Sequence, residues 1–312
     1  MKAEDIQRIA VVGAGLMGHG IAQEFALAGY QVQLHSRTRE SLDKALDNIG
    51  SNVERLVLLG VLEPGADEGL VGRIQTTTRL EEAAERADLV IESVYEDLQL
   101  KQKIFKELDD LCPPQAILAS NTSSLMPSAF AAGIRGADRI LVAHYVNPPY
   151  LVPLVELVPG QQTAPATLAT LCELLEKIGK HPIVIHKEAP GFIANRLQMA
   201  LLREALEIVR QDIASPQDVD AVLKTSIGRR WAVAGVFETL ELAGWDLVES
   251  ITSELLPHLG SGAEAPLLRE KIARGELGVK SGAGFYQWTP EAADKLREKI
   301  AHALINIEKW QK

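Results

Sequence analysis

A glycine-spaced turn placed directly behind a β-branched run constrains this chain more than any other feature. Arg8-Ile9-Ala10-Val11-Val12 reads as a buried strand, and Gly13-Ala14-Gly15-Leu16-Met17-Gly18 follows at once. Apolar residues then recur at helical spacing from Met17 to Leu27 and stop at Gly29. In such a junction Gly13 permits the tight turn, Gly15 lets the backbone approach a pyrophosphate, and Gly18 allows close helix–strand packing. The helix N-terminus adds amides and the positive end of its dipole. Alone the spacing is weak, but at the first strand–helix junction of an alternating chain it predicts dinucleotide binding through Gly13, Gly15, Leu16, Met17 and Gly18.

The alternation continues. Gln31 to Leu34 is the next strand, and Glu40 to about Leu59 is a long amphipathic stretch closed by Gly60 and a Glu63-Pro64-Gly65 turn. Asp88 to Glu92, Ala116 to Ala119 and Ile140 to Ala143 are further strands with helical stretches between them. Repeated strand–helix–strand units imply a parallel sheet with helices on both faces. Beyond Glu156, Thr163 to Ile178 is helical, His181 to Ile185 is one more strand, and from Gly191 the pattern is almost wholly helical. The predicted class is α/β: a Rossmann-type doubly wound parallel sheet over residues 1–188, then an all-α domain over 189–312. The boundary is placed at Lys187-Glu188-Ala189-Pro190-Gly191.

A length of 312 residues accommodates two domains, and 46% hydrophobic with 24% charged residues is ordinary for a globular protein. No apolar run is long enough to cross a bilayer. The start, Met1-Lys2-Ala3-Glu4-Asp5, does not read as a secretory signal, which makes a cytoplasmic location the expectation. A formal charge of −10 without a basic stripe argues against nucleic acid as a partner. Cys112 and Cys172 lack metal-ligand spacing and read as reduced thiols; no metal is expected.

A Rossmann domain ordinarily ends its second strand with an acid that holds the ribose 2′-hydroxyl of NAD. Here the chain reads Leu34-His35-Ser36-Arg37-Thr38-Arg39. Ser36 and Arg37 would accept a 2′-phosphate that a carboxylate would repel, so the site leans toward accepting NADP. The alternative is that Arg37 and Arg39 are merely solvated and NAD is bound.

Further along stand Ile91-Glu92-Ser93-Val94-Tyr95-Glu96-Asp97-Leu98 with Lys101, Ser120-Asn121-Thr122-Ser123-Ser124 and His144-Tyr145-Val146-Asn147-Pro148-Pro149. Leu154-Val155-Glu156-Leu157, Pro190-Gly191-Phe192-Ile193-Ala194-Asn195-Arg196 and Gly282-Ala283-Gly284-Phe285-Tyr286 complete the set. In this order and spacing, over nearly the whole chain, it resembles the L-3-hydroxyacyl-CoA dehydrogenase family. The Asn-Pro-Pro turn before Pro153 to Pro159 looks especially like the L-gulonate 3-dehydrogenase (λ-crystallin) branch, which uses free hydroxy acids.

The residues support this chemistry in their own right. Oxidising an alcohol by hydride transfer needs a base for the hydroxyl proton, and histidine serves near neutral pH. His144 follows a strand at the carboxyl edge of the sheet, where ligands of open α/β sheets bind. Glu156 lies in a run of Pro, Leu and Val, where its carboxylate needs a partner. The Asn-Pro-Pro reversal can return it to His144, to fix the imidazole tautomer and stabilise the imidazolium. The resemblance implies the same pairing. It further implies that Ser123 binds the substrate 3-oxygen and that Asn195 lies near the nicotinamide and the substrate carbonyl. Asn147 would also contact substrate, while Glu96, Lys101 and Asn121 would belong to the cofactor site. The alternatives are a helix cap for the serine-rich run, a buried helix polar group for Asn195, and solvated charges for Glu96 and Lys101.

The resemblance puts an L-3-hydroxyacyl-CoA and its 3-keto partner first as substrates, with fatty acid metabolism as the setting and a homodimer as the assembly. Some residues depart from that pattern. Tyr95 and Asp97 flank Glu96 where Pro and Asn are usual. Between Lys44 and Lys101 there are no lysines for CoA phosphates, only Arg55, Arg73, Arg79 and Arg86. Gly228-Arg229-Arg230-Trp231 precedes Gly235-Val236-Phe237-Glu238, and Arg229 or Arg230 facing a cleft would hold a substrate carboxylate. Both arginines read equally as helix surface. A free hydroxy-carboxylate of the gulonate or carnitine type is therefore the second reading, and a non-catalytic dinucleotide-binding structural protein a remote third. The apolar stripe Leu201, Leu202, Ala205, Leu206 and Val209 suits either a dimer face or internal core.

Overall fold

The structure, a computed structural model, describes residues 1–65 and 69–310. The chain divides into two compact units, Met1–Asn195 and Arg196–Lys312. In the first unit the strands are β1 (Arg8–Val12), β2 (Gln31–His35), β3 (Ile74–Thr77), β4 (Leu89–Glu92), β5 (Ile117–Ser120), β6 (Ile140–Tyr145), β7 (Leu154–Pro159) and β8 (His181–Val184). Its helices are α1 (Gly18–Leu27), α2 (Arg39–Leu58), α3 (Leu70–Arg73), α4 (Leu80–Ala84), α5 (Leu98–Leu111), α6 (Pro127–Phe130) and α7 (Pro165–Lys177).

One sheet contains all eight strands in the order β3-β2-β1-β4-β5-β6-β7-β8. The first six follow the Rossmann order, and strand order reverses between β1 and β4, which opens the crevice that α/β sheets use for ligands. Alternate strand residues feed two cores. Phe25, Val32, Leu34, Leu141, Tyr145 and Leu174 lie on one face, and Val12, Val90, Phe105, Leu118, Phe130 and Val142 on the other. Covering both faces is why β4, β5 and β6 are buried at every position. Each buried Leu, Val or Phe contributes roughly 1.5–3 kcal/mol.

Two strands are not among those expected from the sequence. Ile74-Gln75-Thr76-Thr77 is a short, polar edge strand with no apolar run to mark it. Leu154–Pro159 follows Pro153 and ends on Pro159, and within the parallel-dominated sheet it runs antiparallel to β6. The stretch from Val146 to Pro153 is too short for a parallel crossover, which needs a dozen residues or more, so the chain folds straight back. Long helices with clear boundaries match their signals. Thr38 caps α2 by accepting from the Ser41 amide, and Asp97 caps α5 by accepting from the Leu100 amide at 2.7 Å.

The second unit is helical: α8 (Ala194–Arg210, whose first two residues belong to the first unit), α9 (Pro216–Thr225), α10 (Ile227–Trp231), α11 (Val236–Glu241), α12 (Trp245–Leu255), α13 (Pro266–Ala273) and α14 (Pro290–Trp310). The closing glycine-rich segment is tied to it by Tyr286, whose hydroxyl donates to Asp220 at 2.7 Å. No residue of α8 is buried, and the Leu201–Val209 stripe is half-exposed or exposed. Among the described residues no helix is long and apolar enough to cross a membrane.

Candidate active site

The β1–α1 junction has the geometry its glycines require. Gly13 has φ +111°, and a Cβ there would lie 2.3 Å from the Ser93 carbonyl oxygen on the next loop. A Cβ on Gly18 would fall 1.8 Å from the Gly13 oxygen, so only glycine lets α1 start this close to β1. A Cβ on Gly15 meets nothing within 4 Å; the backbone there faces open space. No side chain caps α1, whose N-terminus follows Leu16, 71% exposed, and the half-buried Met17. An uncapped helix N-terminus behind an open glycine fits a dinucleotide pyrophosphate. At the end of β2, half-buried Ser36 donates its amide to Thr77 O at 3.3 Å. Arg37 is exposed, and Arg39 donates to the Thr76 hydroxyl at 3.0 Å beside it.

At the carboxyl edge, the antiparallel β6–β7 pairing places His144 directly opposite Glu156. The imidazole Nδ1 lies 2.7 Å from Glu156 Oε2, with the two side chains 8% and 1% exposed. A carboxylate only accepts, so Nδ1 carries the proton and Nε2 is left basic. The other oxygen, Oε1, accepts from the backbone amides of Ile193 and Ala194 at 2.8 and 2.9 Å. Burial pushes the Glu156 carboxyl up, but His144 and these two amides outweigh it and hold the group below its ordinary range. The amides reach Glu156 because the chain turns through Gly191 (φ +76°) and Phe192 (φ +50°). Phe192 holds an uncommon conformation for a side chain of its size. It is only 2% exposed, and its ring centroid packs 5.5 Å from that of His144.

Ser123 is half-buried on the β5–α6 loop, and among the described residues its hydroxyl has no partner. Asn195 Nδ2 donates to the Ser123 carbonyl at 3.2 Å, which brings these two expected substrate groups together. Glu96 holds the residues on either side of Ser123: its Oε1 accepts from the Thr122 hydroxyl and from the Ser124 hydroxyl at 2.8 Å. Burial opposes the charge on Glu96, yet Thr122, Ser124 and Lys101 together keep its carboxyl below the ordinary range. Lys101, expected at the cofactor, is buried behind the loop. Its amine donates to both oxygens of Glu92 at 2.8 and 2.9 Å, with 1% and 0% exposure for the pair. Asn121 is likewise engaged with protein: its Oδ1 accepts from the Tyr145 amide at 2.9 Å and its Nδ2 donates to Ser93 at 3.3 Å.

Asn147 is exposed at the start of the β6–β7 loop, on the same edge as His144, and its bond to Pro148 is cis. Arg229 and Arg230 are exposed on α10 in the second unit, and neither has a carboxylate within 4.0 Å among the described residues. Four contributors escaped sequence reasoning: Glu92, Thr122, and the Ile193 and Ala194 amides. An acid closing the apolar run Leu89-Val90-Ile91 was a readable signal for Glu92; backbone amides leave none. Among the described residues no cluster of His, Cys, Asp or Glu could hold a metal.

The chain matches the family model "3-hydroxyacyl-CoA dehydrogenase, NAD binding domain" over residues 8–189 and its C-terminal domain model over 191–288. A 5-formyl-3-hydroxy-2-methylpyridine 4-carboxylate 5-dehydrogenase of Mesorhizobium japonicum is 34% identical over 97% of this chain and 98% of its own. The human lambda-crystallin homolog is 41% identical over 75% of this chain and 74% of its own. Among solved structures, a dehydrogenase of that same pyridine carboxylate, described as an NAD⁺-dependent dismutase, superposes with a TM-score of 0.91 at 34% identity, covering 98% of both chains. The (S)-3-hydroxybutyryl-CoA dehydrogenase of Ralstonia eutropha gives 0.75 at 32% identity, over 91% of this chain and 99% of its own. With both domain models matched in order and relatives of this identity along its length, the chain belongs to the 3-hydroxyacyl-CoA dehydrogenase family of NAD-dependent oxidoreductases.

Proposed function

We propose that this protein oxidises a secondary alcohol to a ketone, and reduces it back, with the His144–Glu156 dyad as its general acid/base. The observation that carries the reading is the 2.7 Å His144–Glu156 contact, set at the carboxyl edge beside an open dinucleotide loop. Bound NAD(P), held at Gly13–Gly18, supplies the hydride acceptor or donor. In the oxidative direction His144 Nε2 removes the hydroxyl proton, and Glu156 stabilises the imidazolium that forms. Ser123 donates to the reacting oxygen from a loop braced by Glu96, Asn195 orients that loop and the substrate carbonyl, and Asn147 contacts substrate from the next loop. Lys101 and Asn121 act from behind by fixing the loops that face the cofactor. Residues 1–188 form the nucleotide domain and 189–312 the substrate and dimerisation domain.

For the substrate we favour a small free hydroxy-carboxylate. The full-length superposition on a carboxylate dehydrogenase supports it, as does the absence of lysines between Lys44 and Lys101. Arg229 and Arg230 are substrate contacts in this reading; unchanged substrate affinity in both alanine variants would remove them. An L-3-hydroxyacyl-CoA is the second reading, supported by the domain models and by the 3-hydroxybutyryl-CoA dehydrogenase match. Ser36 with Arg37 and Arg39, and no acid at the end of β2, support acceptance of NADP as well as NAD. The uncovered apolar stripe of α8 supports a homodimer. The test is initial-rate loss of NADH and NADPH absorbance with acetoacetyl-CoA beside free acetoacetate, and their gain with L-gulonate. Turnover of the thioester alone moves the assignment to acyl-CoA, and no turnover of any probe contradicts both readings.

A further inference from the structure

Residues 146–153 join β6 to β7, and the segment carries Asn147 just beyond His144 and Tyr145. It is folded into a turn, with the amides of Leu151 and Val152 both donating to Pro148 O at 3.0 Å. That turn rests on α1. A Cβ on Gly20 would come 2.8 Å from Pro149 Cγ and 3.4 Å from the Tyr150 ring, so glycine lets the segment lie against the helix. The same helix opens at the glycine-spaced dinucleotide turn, so one element supports both the nucleotide loop and the segment bearing Asn147.

Lys180 stands in the short link between α7 and β8, just past Gly179, whose φ of +83° ends the helix. Its backbone amide closes that end by donating to Leu175 O at 2.9 Å, and its side chain is buried. An ammonium has three N–H donors, and this one has three acceptors: Pro149 O at 2.5 Å, Val152 O at 3.1 Å and Glu24 Oε1 on α1. The Lys180 and Glu24 side chains are 5% and 13% exposed, a burial that is costly for either charge alone. Glu24 Oε2 has no hydrogen-bond donor among the described residues, so Lys180 carries the pairing. An ion pair that served stability alone would need neither loop carbonyl. Here two of the three donors go to the segment bearing Asn147, and the third goes to the helix beneath it.

We propose that Lys180 is a positioning residue for the reaction: it holds the 146–153 segment on α1 and thereby sets Asn147 against the substrate. The role rests on the dehydrogenase reading, in which Asn147 contacts substrate, whereas the grip on the segment does not. A buried ammonium suits the task because it reaches two carbonyls at once through charge-assisted hydrogen bonds. An apolar side chain of similar length leaves both carbonyls without that donor.

The test uses the full-length protein at pH 8, above the value of about 7 to which burial raises Glu24. Lys180→Met is combined with Glu24→Gln so that no buried charge is left behind, and Glu24→Gln alone keeps the ammonium on both carbonyls. Hydrogen exchange over 146–153, read by mass spectrometry, reports the grip. Initial rates with whichever of acetoacetate, acetoacetyl-CoA and L-gulonate the wild type turns over report the reaction. In the double variant the Leu151 and Val152 amides exchange at least about tenfold faster than in wild type. Its kcat falls about 10- to 100-fold, with NADH affinity within about twofold of wild type, as misplacement of a substrate contact requires. Glu24→Gln alone lowers kcat by no more than about threefold, since both carbonyls keep their donor. Added to Asn147→Ala, the same two substitutions cost less than about threefold further, because the group they position is already gone. Unchanged exchange in the segment overturns the grip. Faster exchange with wild-type kcat, or an equal kcat loss with and without Asn147, overturns the positioning role and leaves the dehydrogenase reading standing. Faster exchange in the variant, when wild type turns over none of the probes, overturns that reading and keeps the grip.

Discussion

Replacing Glu156 by Gln keeps the shape of the dyad and removes its charge, and the three hydrogen bonds at that carboxylate decide the outcome. Oε1 accepts from two backbone amides at 2.8 and 2.9 Å, and Oε2 accepts from His144 at 2.7 Å. A carboxamide has one oxygen. If that oxygen turns to His144, the NH2 group faces two buried N–H donors, at a cost of about 1–3 kcal/mol each. If it turns to the amides, one contact suffers instead of two, so this orientation wins by roughly 1–3 kcal/mol. The NH2 then meets His144 Nδ1, which must accept, and the ring proton moves to Nε2, where the base is needed. A wrong tautomer of this kind lowers kcat by about 10⁴ in the comparable His–Asp pair of serine proteases. We expect a fall of about 10³- to 10⁴-fold in the oxidative kcat, read as NADH formation with the best wild-type substrate. Stability should drop only about 1–3 kcal/mol in chemical denaturation. Nitrogen NMR of the labelled ring reports the tautomer directly. A kcat within tenfold of wild type, or a ring still protonated at Nδ1, would refute the reasoning.

Other residues give equally direct expectations. Gly18→Ala forces a Cβ to within 1.8 Å of the Gly13 oxygen, so α1 must shift and NADH affinity by fluorescence titration should fall at least about tenfold; retained affinity would discount the glycine's packing role. Lys101→Met leaves Glu92 buried without its cation and should cost about 3–5 kcal/mol in urea unfolding, whereas a cost below about 1 kcal/mol would show that the pair does not hold the loop. Burial raises Glu24 from 4.5 to about 7 despite Lys180, so between these values the native state binds the proton that the unfolded chain has lost. Its contribution is complete below pH 4.5 and disappears as pH rises through 7, a decline of about 3 kcal/mol that Glu24→Gln should abolish in denaturant titrations across this window.

The Rossmann half was legible because its signals are local. Glycine spacing and β-branched runs each act within a few residues. His144 and Glu156 were also readable, since a reversal between a histidine and an acid in an apolar run leaves few other partners. What escaped depends on contacts made at a distance. β3 is an edge strand with one strong apolar residue at its start, and β7 is an apolar run whose direction is set by a short loop rather than by its own residues. Lys101 read as a loop cation because sequence does not display the buried carboxylate of Glu92 awaiting it. The amides of Ile193 and Ala194 belong to no side chain, so their hold on Glu156 exists only in three dimensions.

Single-turnover hydride transfer in His144→Gln against wild type, with saturating nucleotide and the preferred substrate across pH 6–9, tests the role of the dyad most directly. If His144 is the base, the rate falls about 10²- to 10⁴-fold and the wild-type ionisation vanishes from the profile. A variant rate within about threefold of wild type, with the same pH profile, would contradict it.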